Sequence, residues 1–258
     1  MSQVIAGAGT PETHWRPWLA GLAAPTAVPP ATPPGRAPRV LVLVAHPDDE
    51  VLGAGGLLHG LARRGWRVDV VWATDGEASH PGSTVVSGAE LARRRREESV
   101  QARDVLGLDG TTTWLALPDS GLLGREADVA AAADRALQDG GVDLVLAPWR
   151  EDGHPDHEVC GRAAARAAAR HGVPLWEVPI WAWHWGTADV LAPRWSHAHL
   201  VALDEATRTV KAAAVAQFVT QVRPLGPAAA DRAVLPPEVL ARFARDVELV
   251  LVTPAVPS

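Results

Sequence analysis

Apolar residues along this chain follow two rhythms. Short unbroken runs, such as VLVLVA at 40–45 and LVLAP at 144–148, alternate with stretches in which apolar positions recur every three or four residues. The runs predict strands over 39–45, 67–74, 112–117, 142–148, 174–182, 197–203 and 247–252. The helical spacing predicts helices over 50–64, 88–106, 123–138, 157–171, 204–219 and 236–245. Strands that are apolar throughout need cover on both faces, and regular strand–helix alternation supplies it. The expected fold is therefore α/β: a Rossmann-like, mostly parallel, doubly wound sheet in a single domain, with strand order 3-2-1-4-5 at its centre. AAPTAVPPATPPGRAP at 23–38 holds six prolines and no period, which predicts an extended arm. Residues 1–37 are accordingly read as a Pro/Ala-rich N-terminal arm and 38–258 as the folded domain.

Composition narrows the partners. A chain of 258 residues can bury a full core, and 47% apolar with 21% charged residues is ordinary for a globular protein. A formal charge of −6 argues against nucleic acid or an anionic membrane as the main partner. No apolar stretch is long enough to span a bilayer, and no signal peptide is expected at the start. The single cysteine, Cys160, allows no intrachain disulfide and fits a reducing, cytoplasmic setting. Eleven tryptophans stand beside two phenylalanines and no tyrosine.

Two corners carry the candidate chemistry. His46-Pro47-Asp48 ends the first predicted strand, and His154-Pro155-Asp156 follows the fourth. Each is followed by another residue able to bind a metal, Asp49 or His157, and then by a glutamate. In the expected strand order these two strands are neighbours whose crossover helices lie on opposite faces, and ligands bind beyond the carboxyl ends of such a pair. The candidate ligands are His46, Asp48, Asp49, His154, Asp156 and His157. Two imidazoles, one carboxylate and an open position make a catalytic zinc site. One such corner could be no more than helix capping; its repetition at matched positions argues for a metal crevice.

AHPDDE with a later HPDH resembles the PIG-L/LmbE family of zinc-dependent N-acetyl-sugar deacetylases. TDGE (74–77), RREESVQARDVLG (95–107), LPDSGL (117–122) and KAAAVAQFVTQ (211–221) follow in the family's order. The resemblance implies zinc held by His46, Asp49 and His157, with Asp48 as general base toward the attacking water; a two-histidine, one-carboxylate set also accommodates Fe²⁺. It also implies His154 as a second catalytic group, protonated, which meets the oxyanion and helps the amine leave. Asp156 would hold His154 in orientation. The substrate implied is a small N-acetylated sugar or glycoconjugate, handled by a domain over 38–258.

Substrate-facing residues are less sharply marked. At about 100° per residue, Arg95 falls within about 40° of Leu91, Ala102 and Leu106, while Arg93, Arg94 and Arg96 point elsewhere. An arginine on an apolar face requires an ion-pair partner or a ligand, and the resemblance makes Arg95 a substrate-binding residue. It makes Asp119 and Glu77 contacts to sugar hydroxyls, against a bland reading as turn residues; Asp75 is a weaker candidate. In WEVPIWAWHWG (176–186), Trp181, Trp183 and Trp185 share one face of the predicted strand, which suits a core or a homo-oligomer interface. The mycothiol-pathway branch of the family has a tyrosine two residues before the second corner's histidine, where this chain has Asp152. The sugar is therefore not carried over from that branch. The alternatives are an amidase for a larger acyl group or a non-sugar amide, a metal phosphoesterase, and a non-catalytic Rossmann-like module using the glycines of LGAGGLLHG (52–60).

Overall fold

The computed structural model describes residues 7–22 and 35–255. Its seven strands are β1 (Arg39–Val44), β2 (Arg67–Thr74), β3 (Thr112–Leu117), β4 (Leu144–Pro148), β5 (Leu175–Val178), β6 (Ala198–Ala202) and β7 (Val247–Thr253). They form one sheet in the order β3-β2-β1-β4-β5-β7-β6. The first five strands are parallel, in the predicted 3-2-1-4-5 order; β7 runs antiparallel to both β5 and β6. The helices, in chain order, are α1 (Glu12–Gly21), α2 (Asp49–Ala62), α3 (Gly88–Leu106), α4 (Glu126–Gln138), α5 (Pro155–His171), α6 (Ala182–Trp185), α7 (Ala188–Leu191), α8 (Glu205–Val215), α9 (Val219–Val222) and α10 (Pro237–Leu240). None among the described residues is long and apolar enough to cross a membrane.

Period-two alternation divides each central strand between two cores. Leu41, Leu43, Val145 and Ala147 pack with α4 and α5 on one face. Val40, Val42, Val44, Leu144 and Leu146 pack with α2 on the other. The crossovers after β1 and β4 thus leave from opposite faces, and a crevice opens between those strands' carboxyl ends. Gly53, Gly55 and Gly56, the glycines of the proposed binding loop, lie inside α2. A Cβ on Gly53 would stand 2.7 Å from Val178 Cγ2, and one on Gly56 2.6 Å from Leu203. These glycines serve close packing, which removes the dinucleotide-type reading.

Four expectations change. The arm over 1–37 contains a packed helix, α1, whose Trp15 is completely buried; residues 1–6 and 23–34 of that arm lie outside the described residues. Trp15, Trp18, Leu19 and Leu22 repeat at helical spacing, a signal masked by the neighbouring prolines. The strand over 174–182 ends at Val178, because Pro179 has no N–H to continue the ladder. Three of its tryptophans therefore sit in or beside α6, packed with Trp15 and Trp195, and not along one strand face. The helix over 204–219 breaks after α8, where the Glu98 carboxylate takes the Thr220 N–H (2.8 Å) and hydroxyl (2.7 Å) and restarts the chain as α9. The helix over 236–245 stops at Leu240. Beyond it Arg242 turns to Thr10 and Ala8, and Arg245 forks onto Glu12. These bonds staple the N-terminal segment to the domain.

Candidate active site and metal centre

The two corners meet as the strand order requires. His46 follows β1 and α2 begins at Asp49, so the Asp49 carboxylate turns back to accept the His46 N–H at 2.9 Å. Pro155 occupies the first turn of α5, which projects His157 at the same point. His46 Nδ1 and His157 Nε2 approach to 3.2 Å, with Asp49 3.2 Å from His157 Nε2 and 3.6 Å from His46 Nδ1. Ligands held 2.0–2.1 Å from a tetrahedral ion stand roughly 3.3 Å apart. His46, Asp49 and His157 therefore have the donor types and separations for one borderline divalent cation, all within 4.8 Å. Both ring nitrogens turned away from that point are braced. His46 Nε2 lies 3.2 Å from Asp119, and His157 Nδ1 donates to Asp152 at 2.7 Å.

Asp48 sits beside this set with φ 131°, a left-handed value that costs a non-glycine residue about 1–3 kcal/mol. Contacts from two sides hold it there. Arg95 donates to Asp48 Oδ2 (2.9 Å) and to the Pro47 and Gly76 carbonyls (2.5 and 3.0 Å), while Glu50 accepts the Asp48 N–H at 3.3 Å. Arg95 is buried with Leu91, Ala102 and Leu106, as the helical arithmetic required. Burial pushes the Asp48 carboxyl up to about 7, against the pull of the Arg95 guanidinium and with the Asp49 charge adding to the push.

His154 faces His46 across the crevice, with ring centroids 4.9 Å apart. Its Nδ1 accepts the Asp156 N–H at 3.2 Å, so the neutral ring carries its proton on Nε2. Burial, then the charges on His157 and His46, press its pKa down to about 2. With no cation bound and the His46 and His157 imidazoles charged, this opposes the protonated form that the resemblance implies. Asp156 also acts differently from expectation. Its backbone, not its carboxylate, touches His154; the carboxylate accepts the Ser120 and Leu122 N–H groups at 2.7 and 3.1 Å and lies 3.5 Å from His46.

Of the substrate candidates, Arg95 and Asp119 line the cleft, whose volume is about 620 Å³. Burial would raise the Asp119 carboxyl, but the facing His46 outweighs it and holds the group below the usual carboxylate range. Glu77 accepts the Asp119 N–H at 2.9 Å and so braces that loop from behind. Asp75 pairs with Arg96 at the rim. Ile180, Trp181, His184, Leu235 and Val239 give the cleft an apolar-rich wall. Sequence reasoning missed Asp152 as a site residue; its place two residues before His154 was the only local signal.

In the metal-free protein burial lowers the His157 pKa, but Asp49 and Asp152 more than reverse this and raise it to about 9; His46 is raised as well, by Asp119, Asp156 and Asp49 against burial. Both shifts favour the protonated imidazoles, and a cation can bind only after these nitrogens lose their protons. Zinc titrated calorimetrically at pH 7, in buffers of differing ionisation enthalpy, is expected to show proton release, with affinity rising from pH 6 toward 9. A buffer-independent heat would contradict this ligand set. By the same sign, stability that the metal-free fold gains from these histidines is complete below pH 6.5 and fades as pH rises through about 9.

A doubly wound α/β domain with a two-histidine, one-carboxylate centre at its switch point belongs to a class suited to metal-assisted hydrolysis. The family more narrowly is settled by comparison. The family described as GlcNAc-PI de-N-acetylase (PIG-L) matches residues 41–168. The 1D-myo-inositol 2-acetamido-2-deoxy-alpha-D-glucopyranoside deacetylase of Corynebacterium diphtheriae is 30% identical over 226 residues, covering 71% of this chain and 76% of that protein. The chain belongs to the PIG-L/LmbE deacetylase family. Diacetylchitobiose deacetylase of Thermococcus kodakarensis is 33% identical over 143 residues, 53% of this chain and 51% of the relative. The chain thus matches about half the length of that relative and of the Streptomyces fradiae 2'-N-acetylparomamine deacetylase. N,N'-diacetylchitobiose deacetylase from Pyrococcus horikoshii shares the fold, with TM-score 0.62 at 20% identity over 84% of each chain.

Proposed function

We propose that this protein is an N-deacetylase that removes the acetyl group from an N-acetylglucosamine-type sugar or glycoconjugate, with zinc at His46, Asp49 and His157. One observation carries the proposal: a three-ligand set converges with a further carboxylate, Asp48, held beside it by Arg95, and with the His154 imidazole facing His46. The named deacetylases among the relatives support the acetamido-sugar class. When bound, the ion polarises the amide carbonyl and supplies a nucleophile at neutral pH; Fe²⁺ suits the same donors.

The remaining work falls to the protein. Asp48, held beside the ligand set by Arg95, accepts the proton of the attacking water. His154 offers its Nε2–H to the oxygen on which charge develops as the carbonyl carbon becomes tetrahedral. The C–N bond then breaks, and Asp48 returns its proton to the departing amine. Water and amide become acetate and the protonated amine, with the enzyme unchanged. Asp119 holds His46 and shares the cleft, so a sugar hydroxyl within reach would bridge to the ligand set. The apolar wall at Ile180, Leu235 and Val239 favours a second reading, cleavage of a larger acyl group. The buried, free Cys160 suits a cytoplasmic enzyme.

The test is release of amine and carboxylic acid from a panel of N-acetyl- and N-butyryl-glucosaminides by zinc-loaded protein, with Asp48→Asn as the blank. Acetyl turnover that the variant abolishes supports the deacetylase. Turnover of the butyryl compounds alone selects the larger-acyl reading. Silence across the panel with zinc bound removes both.

A further inference from the structure

Asp152 carries more hydrogen bonds than a capping residue needs. It is completely buried, and its carboxylate accepts four N–H groups. Oδ1 takes those of Ile180 (2.8 Å) and Ala182 (3.0 Å); Oδ2 takes those of Trp181 (2.9 Å) and His157 Nδ1 (2.7 Å). Its carbonyl accepts the Trp185 indole N–H at 2.7 Å. One side chain thus joins a candidate metal ligand to a segment that lines the cleft.

Resting on the zinc reading above, we infer that Asp152 is a positioning residue that fixes how His157 meets the metal and ties the 180–185 wall to metal occupancy. The argument is one of donors and acceptors. An ionised carboxylate only accepts, so it requires a proton on His157 Nδ1. The lone pair that remains is on Nε2, the nitrogen facing Asp49 and His46. The charge on Asp152 also makes that imidazole a stronger donor to a cation. The backbone of Ile180, Trp181 and Ala182 hangs on the same two oxygens, so movement of His157 is felt at the wall.

Asp152→Asn tests this at constant shape. An amide has one accepting end. If that end keeps Ile180 and Ala182, its NH₂ opposes the Trp181 N–H and His157 Nδ1–H; His157 escapes by moving its proton to Nε2, where it blocks the metal. Zinc affinity, measured by competition with a chromophoric chelator, is expected to fall about 10–100-fold. Zinc added to wild-type protein is expected to slow amide exchange at 180–182, and to do so far less in the variant. Affinity within threefold of wild type would overturn the inference while leaving the deacetylase reading intact; failure of wild type to bind zinc would overturn that reading itself. Should the variant not fold, ¹⁵N imidazole spectra of zinc-loaded wild type decide. A proton on His157 Nδ1 upholds the assignment, and a proton on Nε2 sinks it.

Discussion

Asp48→Asn is expected to lower turnover by about two to four orders of magnitude while leaving the zinc content unchanged, the usual worth of a positioned general base. The substitution is nearly isosteric, and its carbonyl oxygen can still accept from Arg95 in place of Asp48 Oδ2. Asparagine tolerates positive φ better than most residues, so the backbone at 131° need not relax. What disappears is the site that takes and returns the proton. Metal analysis and single-turnover assays on the same sample check both halves. Turnover within tenfold of wild type would place the base elsewhere, and lost zinc would make Asp48 a ligand.

Trp15→Ala is expected to cost about 3–5 kcal/mol, the range for emptying a buried large aromatic site. Trp15 lies edge-on to Trp183 at 4.9 Å and stacks on Trp195 at 6.1 Å, and its indole N–H donates to the Trp183 carbonyl at 3.0 Å. Deleting it opens a cavity beneath α1 and leaves that carbonyl without its partner. At roughly 2–4 °C per kcal/mol for a chain of this size, melting should fall by about 6–20 °C. A melting point unchanged within 2 °C would mean that α1 does not help hold the domain together. Trp183 adjoins Trp181 and His184 of the cleft wall, so KM should rise more than kcat falls.

How far the sequence reaches can be followed residue by residue. The apolar runs at 40–45 and 144–148 identified two strands buried on both faces, and the alternation itself sorted their side chains into two cores. Helical arithmetic singled out Arg95 from four consecutive arginines because only one of them can point inward. It could not say that the inward arginine grips Asp48, since that contact joins residues 47 apart in the chain. Tryptophan suits strands and cores equally, so the Trp-rich segment reads as strand by composition, while Pro179 ends the ladder at Val178.

Local pattern by itself determined the architecture and the two metal corners, because strand period, helix period and ligand chemistry are written over a few consecutive residues. Tertiary structure alone decided the rest: Asp119 behind His46, Asp152 behind His157, His154 facing His46, and α1 folded onto the tryptophans. Each of these depends on which distant segments meet. Burial, charge neighbours and hydrogen-bond partners belong to that meeting and not to any stretch of chain.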